Sequence, residues 1–574
     1  MHIKFCGAAT MVTGSCHLLT TEKHKILLDC GMFQGNKETE KLNYEDFGFD
    51  PAEIEYVVIS HAHIDHSGRL PLLLKRGFRG RIYCTDATAD LLDVMLKDSG
   101  YIQEKEAEWQ NRKNLRAGRP PVEPLYTYND ALKVLDYLNP VMYDELVKID
   151  EDLELVFNDA GHILGSAIVE LFITENGEKS KLVFSGDLGV ENRPILRDPT
   201  IIRKADFLIM ETTYGNRAHE ANEGSVQRLI DIVLDTIKRG GNVIIPSFAV
   251  GRTQEMIFEF NRFYEEHQEY REALDQVKVY VDSPMATTAT EVFRKNAQVF
   301  DEETKQYILK GDNPLDFKNL EFVRTADESR ALNFESAPKI IISASGMCEA
   351  GRIKHHLKHG LWNPKNSVVF VGYQAEGTLG RSIADGDKDV TIFGEKIHVE
   401  AEIHRLEGFS GHADRDGLLD WLGGFEKVPH SIFLVHGEMD GKRDFARSVK
   451  SRFGYDCIVV EKLGAEYEMV KDEDAVLEST DEDIQETREN LYKLRSKIAT
   501  VHDQLESILY NTLLASGDDM TPERISEVNN IVLALEKSTL NLGSTVTKGD
   551  VPRPTDAAEY RQTADSEEGD AEKH

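Results

Sequence analysis

Three histidines and an aspartate fall within six positions in the stretch Ser60-His61-Ala62-His63-Ile64-Asp65-His66. Neutral imidazoles suit zinc, and a carboxylate among them adds an oxygen ligand and offsets the charge of the cation. A lone histidine is usually a core or surface residue, but crowding four unpaired polar groups together would be costly, so packing alone does not explain the cluster. The preceding run Tyr56-Val57-Val58-Ile59 is apolar and reads as a buried strand. It would deliver the four side chains into the loop at its end.

Other loops carry companions. The runs Leu153–Phe157 and Ala167–Phe172 read as strands flanking Gly161-His162-Ile163-Leu164-Gly165-Ser166, and Lys181–Ser185 ends in Gly186-Asp187-Leu188-Gly189. Glycine beside His162 and Asp187 lets the backbone come close to a ligand. With the 61–66 cluster they complete a set for two ions, one on three histidines, one on the other side, and Asp187 bridging. Two-metal sites of this kind hold their ions about 3.5–4 Å apart and generate hydroxide near neutral pH. His436, after the apolar run Ser431–Val435, repeats the strand-then-histidine arrangement and reads as a further ligand. His412, in Phe409-Ser410-Gly411-His412-Ala413-Asp414, is a candidate proton donor, whereas His355, His356, His359 and His404 lie outside such loops and read as exposed.

The elements that must position these groups alternate. Ile3 to Leu28 reads as a three-strand meander with Asp29 at its end, followed by a helix at Leu70–Leu74, a strand at Arg81–Cys84 and a helix at Ala87–Leu96. That is the pattern of a layered α/β domain. From Ala205 a second series begins: the strand Phe207–Met210 leading to Glu211, a helix at Val226–Arg239, and strands ending before Pro246, Asp282, Ser343 and Gly372. Apolar strands alternating with helices specify a mostly parallel sheet with helices on both faces. Its loops pair Ser247 with Arg252, Ser345 and Gly346 with Arg352, and Gly377-Thr378 with Arg381. Any one of these could be ordinary turn chemistry, but three together favour phosphate contacts at the strand ends.

At 574 residues the chain exceeds one hydrophobic core, and two or three domains are expected. Its net charge of −34 argues against broad, non-specific nucleic-acid binding while leaving room for a local basic groove. Residues 100–140 are a polar excursion holding Trp109, Arg112, Lys113, Arg116 and Arg119, read as a solvated helix face and loop, with a phosphate-contacting arm as the sharper alternative. Six scattered cysteines read as reduced thiols, and no run has signal-peptide or membrane-span length, so a cytoplasmic protein with no membrane partner is expected. Residues 471–574 hold 24 acidic against 11 basic side chains. Within them Ile484, Leu491, Leu494, Ile498, Val501, Leu505 and Ile508 form a seam that one helix cannot bury alone. A helical hairpin that packs on the body or pairs two copies into a homodimer is expected there, followed by a disordered tail.

Over about residues 1–470 the chain resembles the metallo-β-lactamase-fold nucleases of the β-CASP group, relatives of the pre-mRNA 3′-end processing endonuclease. The resemblance rests on Asp29, the His61-Ala62-His63-Ile64-Asp65-His66 signature, His162 and Asp187, and then on Glu211, His412 and His436. The last three and the inserted domain separate this group from glyoxalase-like and antibiotic hydrolases. The resemblance implies an αββα metallo-β-lactamase sandwich (residues 1–208 and 397–470) with an inserted α/β β-CASP domain (209–396), then a helical appendage (471–544) and an acidic tail (545–574). It further implies a ribonuclease acting on single-stranded RNA, endonucleolytic with exonuclease action left open, by a two-metal hydroxide mechanism. Two zinc ions per chain would be held, one by His61, His63 and His162 and the other by Asp65, His66 and His436, with Asp187 bridging. Asp29 would orient a ligand histidine, Asp65, Glu211 and His412 would be catalytic, and Glu211 would keep His412 protonated for the leaving 3′ oxygen. A DNA nuclease of the same family remains the nearest alternative. A small-ester or thioester metallohydrolase would have no use for Glu211, His412 and the insert loops.

Overall fold

The computed structural model describes residues 1–218, 224–372, 374–375 and 377–471, so the expected appendage and tail lie outside the described residues. Two seven-stranded sheets stack face to face. The first runs Glu466–Glu468, His2–Phe5, His17–Thr20, Lys25–Leu28, Tyr56–Val58, Arg81–Thr85, Leu138–Val141 in spatial order. The second runs Ile458–Val459, Ser431–Val435, Phe207–Glu211, Glu178–Phe184, Ala167–Glu175, Leu153–Asp159, Val147–Asp150.

Side chains alternate across each strand, and the alternation separates two cores. Leu182 and Phe184 turn inward to a cluster shared with Phe5, Leu28 and Val58 of the first sheet. Val183, Leu208 and Met210 turn outward onto Leu418, Leu422 and Phe445 of the helices Arg415–Leu422 and Met439–Phe453. The helices Leu70–Lys75, Asp86–Arg116 and Tyr128–Val134 belong to the first sheet's connections. This is the expected αββα sandwich.

Strand direction places the loops. Lys25–Leu28 and Tyr56–Val58 are parallel neighbours with Leu28 opposite Val58, so Asp29 and the segment from Ser60 start side by side. In the second sheet Glu178–Phe184, Phe207–Glu211 and Ser431–Val435 are also mutually parallel. Glu211 at its strand end and the loops bearing Asp187 and His436 therefore lie at a common edge.

Between Glu211 and Ser431 the chain builds a third, wholly parallel sheet in the order Leu320–Phe322, Lys278–Val281, Lys339–Ser343, Val243–Pro246, Ser367–Phe370, Glu402–Arg405. Its strands are continuous apolar runs because both faces are covered. Val243 and Ile245 face Met256 and Phe260, while Ile244 faces Ile353 and Leu357. The strand Glu402–Arg405 carries this sheet past the boundary expected at residue 396.

Two local readings change. The helix expected to end near Leu96 continues to Arg116, because its inward stripe stops at Gly100 while good helix formers continue outward. His356 is buried rather than exposed, its Nε2 2.6 Å from Asp282 Oδ2 and its Nδ1 2.9 Å from Asn333 Oδ1.

Candidate metal centre

The loop after Tyr56–Val58 turns into the short helix Ile64–Ser67, and this bend points His61, His63 and His66 to one side. His61 Nε2 lies 3.1 Å from His63 Nδ1, and His162 Nε2 lies 3.2 Å from the same atom. Bonds of about 2.0–2.1 Å to a tetrahedral zinc put its ligand atoms roughly 3.3 Å apart, so this spacing suits one ion. On the other side His66 Nε2 and His436 Nε2 are 3.1 Å apart, and Asp65 Oδ2 is 3.8 and 3.6 Å from them. Asp187 stands between the groups. Its Oδ2 is 3.6 Å from His61 Nε2, 3.7 Å from His162 Nε2 and 3.2 Å from His66 Nε2, while its buried Oδ1 accepts no hydrogen bond. Among the described residues these are the clusters suited to a metal ion, together with Asp187, Glu211 and His412.

Four of the five imidazoles, those of His61, His66, His162 and His436, are oriented from behind, and the outer partner fixes which nitrogen keeps its lone pair for the centre. Asp29, held at φ +59°, accepts from His66 Nδ1 at 2.7 Å, from Ser60 Oγ at 3.0 Å and from Ser60 N at 2.8 Å. Ser60 Oγ in turn accepts from His61 Nδ1 at 3.1 Å. His162 Nδ1 donates to Gly411 O at 3.0 Å, and His436 Nδ1 to Thr213 Oγ1 at 3.0 Å.

Electrostatics divide the ring of histidines. Burial holds His61 and His162 well below the usual imidazole range and His63 at about 4, so all three are neutral donors near neutral pH. Burial also works against charge on His66, yet Asp187, Asp65 and Asp29 raise it well above its ordinary value. Burial opposes the negative charges of Asp65 and Asp187 too, but His66 and His436 pull both carboxyls down. So concentrated a set of opposed charges, with a buried carboxylate oxygen that accepts no hydrogen bond and has only His436 Nδ1 near it at 3.4 Å, fits occupancy by cations.

Glu211 accepts from Leu188 N at 2.5 Å and from Thr213 N at 3.2 Å, which fixes its carboxylate 3.4 Å from His412 Nδ1. Burial disfavours the charged imidazole, but Glu211, then Asp187 and Asp65, raise the pKa of His412. Its ring lies tilted over His162 at 4.3 Å.

The insert's candidates are placed differently from one another. Arg252 is buried, with Nη1 2.6 Å from Glu255 Oε2, and Arg193 Nη2 meets the same oxygen at 2.6 Å. Arg193 Nη1 also reaches the carbonyls of His162 and Gly411 at 3.3 Å, so this triad joins the insert to the metal loops. Ser247 is buried and accepts from Thr253 Oγ1, while Gly346 faces the ring of Phe248 so closely that a Cβ there would stand 3.0 Å from it. Ser345 opens the same loop, after Ser343. Arg352 donates to Asp282 at 2.6 Å and to the carbonyls of Val323 and Arg324. Arg381 Nε is 2.6 Å from Asp385 Oδ2. Sequence reasoning gave no role to Ser60, Thr213, Arg193 and Glu255, whose ordinary types carry no signal until the fold brings them to the ligand histidines or their loops.

Comparison with known proteins meets this geometry. The metallo-β-lactamase superfamily matches residues 9–279, the Beta-Casp domain residues 253–383, and the Zn-dependent metallo-hydrolase RNA specificity domain residues 396–460. The chain is 40% identical over 438 residues to ribonuclease TTHA0252 of Thermus thermophilus, covering 76% of this chain and 93% of that one. The chain belongs to the β-CASP ribonuclease family of the metallo-β-lactamase superfamily. Within that family it is also 31% identical over 475 residues to transcription termination factor FttA of Methanocaldococcus jannaschii, covering 81% and 71% of the two chains. To FttA of Pyrococcus horikoshii it is 33% identical over 470 residues, covering 78% and 68%. Membership makes this chain a metal-dependent nuclease. No helix among the described residues is long and apolar enough to cross a membrane.

Proposed function

We propose that the protein hydrolyses phosphodiester bonds of single-stranded RNA, as an endonuclease with exonuclease action open to it, using two zinc ions per chain. The observation that carries the reading is Asp187 Oδ2 between His61 and His162 on one side and His66 on the other. His61, His63 and His162 would hold one ion, Asp65, His66 and His436 the other, with Asp187 shared. Zinc bound there would supply Lewis acidity toward phosphate oxygens and acidify water toward neutral pH.

The chain's own groups do the rest. Asp29 fixes the ring of His66, and the Ser60 hydroxyl extends that hold to His61. Glu211 anchors Nδ1 of His412 and favours its protonated form, leaving Nε2 to deliver a proton to the departing 3′ oxygen. Arg252, beside Glu255 and Arg193, adds a buried cation at the junction of the two domains, where a phosphate would lie.

The name of the relative TTHA0252 and the matched RNA specificity domain support RNA as the substrate. The apolar seam in residues 484–508 of the sequence supports a homodimer, and the free cysteines support a cytoplasmic location. The test is cleavage of end-labelled and internally labelled single-stranded RNA and DNA, with and without chelator. Metal-dependent cleavage of RNA is expected. Cleavage of DNA alone, or ester hydrolysis with both nucleic acids untouched, would contradict the reading.

A further inference from the structure

The helix Asp86–Arg116 starts at the metal centre and leaves it. Thr85 and Thr88 both donate to Gly165 O, at 2.7 and 2.8 Å, in the loop that carries His162. Up to Gly100 the helix buries a regular stripe, but beyond it only Ala107 and Asn114 are buried. At 1.5 Å per residue, Trp109 stands about 30 Å along the helix from Thr88.

This outer end is built, not frayed. The Asn111 side chain pairs both ways with the backbone of Val122, at 2.9 and 2.7 Å, and Asn114 Nδ2 donates to Pro120 O at 3.0 Å. The returning chain is thereby pinned to the helix. What it presents is unlike the rest of an acidic surface. Tyr101, Lys105, Trp109 and Lys113 follow at intervals of four residues along one edge, aromatic and cation in turn. Lys113 Nζ lies 3.1 Å from the centre of the Trp109 ring, and Lys105 Nζ 5.5 Å from that of Tyr101. Trp109 is nevertheless 56% exposed.

From Trp109 onward the charge is one-sided. Glu108 takes up Lys105 at 3.0 Å and Arg112 at 3.8 Å, but Lys113, Arg116 and Arg119 have no carboxylate partner among the described residues. From Trp109 to Val122 there is no acidic residue, in a chain of net charge −34. An exposed aromatic followed by cations that have no carboxylate partner matches the bases and phosphates of a single strand, which stack on the first and pair with the second.

We propose that this helix end and the return to Val122 form a docking platform for single-stranded RNA, remote from the metal centre. The proposal rests on the reading of RNA as the substrate and adds where its far portion is held. At the stacked rise of about 3.4 Å per nucleotide, an RNA must run on the order of ten nucleotides past the cleavage point to reach Trp109.

Steady-state cleavage of unstructured RNAs of about 6 and about 30 nucleotides tests it, with wild-type protein, Trp109→Ala, and Lys113→Ala/Arg116→Ala/Arg119→Ala. For the long RNA each variant raises KM about tenfold with kcat unchanged, and for the short RNA neither constant moves. The triple variant flattens the slope of log affinity against log salt for the long RNA by about 2, whereas Trp109→Ala leaves that slope alone. Trp109→Ala removes an exposed side chain, so the proposal stays testable if the triple variant folds poorly. Unchanged KM for the long RNA overturns the platform, as would befit a surface used by a protein partner. Equal losses on both RNAs also overturn it, because they locate the effect at the metal centre. A wild-type protein that binds neither RNA overturns the substrate reading itself, which separates that failure from failure of the platform alone.

Discussion

Glu211 and Val435 face each other across adjacent parallel strands, although the whole insert lies between them in the chain. The pairing brings Glu211 beside the loop of His436 and within reach of His412, whose Nδ1 it holds at 3.4 Å. An insertion of this size is tolerated because both ends of it are strands of one sheet, so the site forms from segments far apart in sequence.

From this arrangement His412→Ala is expected to keep its full metal content and to cleave RNA about 10²–10⁴-fold more slowly, the usual contribution of a positioned general acid. Metal analysis beside single-turnover cleavage checks it. A variant that sheds an ion would make His412 a ligand, since it also belongs to a cluster with Asp187 and Glu211.

Asp29→Asn tests the hold on His66. The substitution removes the charge that accepts Nδ1–H at 2.7 Å, and weakening of such outer contacts typically costs about 10–100-fold in metal affinity. Competition with a chelator should show one of two ions bound more weakly, with the melting temperature of the metal-free protein lowered as well. Equal retention of both ions would show that Ser60 and the packing around His66 suffice.

The metal-bearing loops were legible because histidine clusters at strand ends carry chemistry that packing does not explain, and the structure brings His61, His63, His162 and Asp187 together. The insert was legible as a parallel sheet from its continuous apolar strands. What escaped was partnership at long range. Arg352 could be singled out as a phosphate contact because nothing near it in sequence shows that Asp282 lies 2.6 Å away. His356 read as exposed for the same reason, and Asp282 claims it too. The short strands Asp389–Ile392 and Glu395–His398 escaped because charged residues interrupt their apolar pattern.

Asp282 yields a pH prediction for the insert. Burial works against its charge, but hydrogen bonds from His356, Ser329 and Arg352 hold its carboxyl below the usual range. Between the folded value and the unfolded value near 3.9, the unfolded chain binds the proton more readily, so stability rises with pH across that interval. The contribution is complete above about pH 4 and is lost as pH falls through the folded value. Asp282→Asn should therefore lower the melting temperature at pH 7, by the equivalent of about 3–5 kcal/mol for a broken buried pair, and less at pH 3. An unchanged melting curve at pH 7 would mean the network is not stabilising.

Glu255→Gln removes the one carboxylate that Arg193 and Arg252 share. Two buried guanidinium groups would then oppose each other where Arg193 supports the carbonyls of His162 and Gly411. Loss of stability of about 3–5 kcal/mol and slower cleavage are expected together. Normal kcat in a destabilised variant would confine the triad to the fold.

The most direct test of the two-metal account is elemental analysis of an active preparation. Close to two zinc ions per chain, with cleavage lost on chelation and restored on zinc addition, is the predicted result. One ion or none in protein that still cleaves RNA would contradict it.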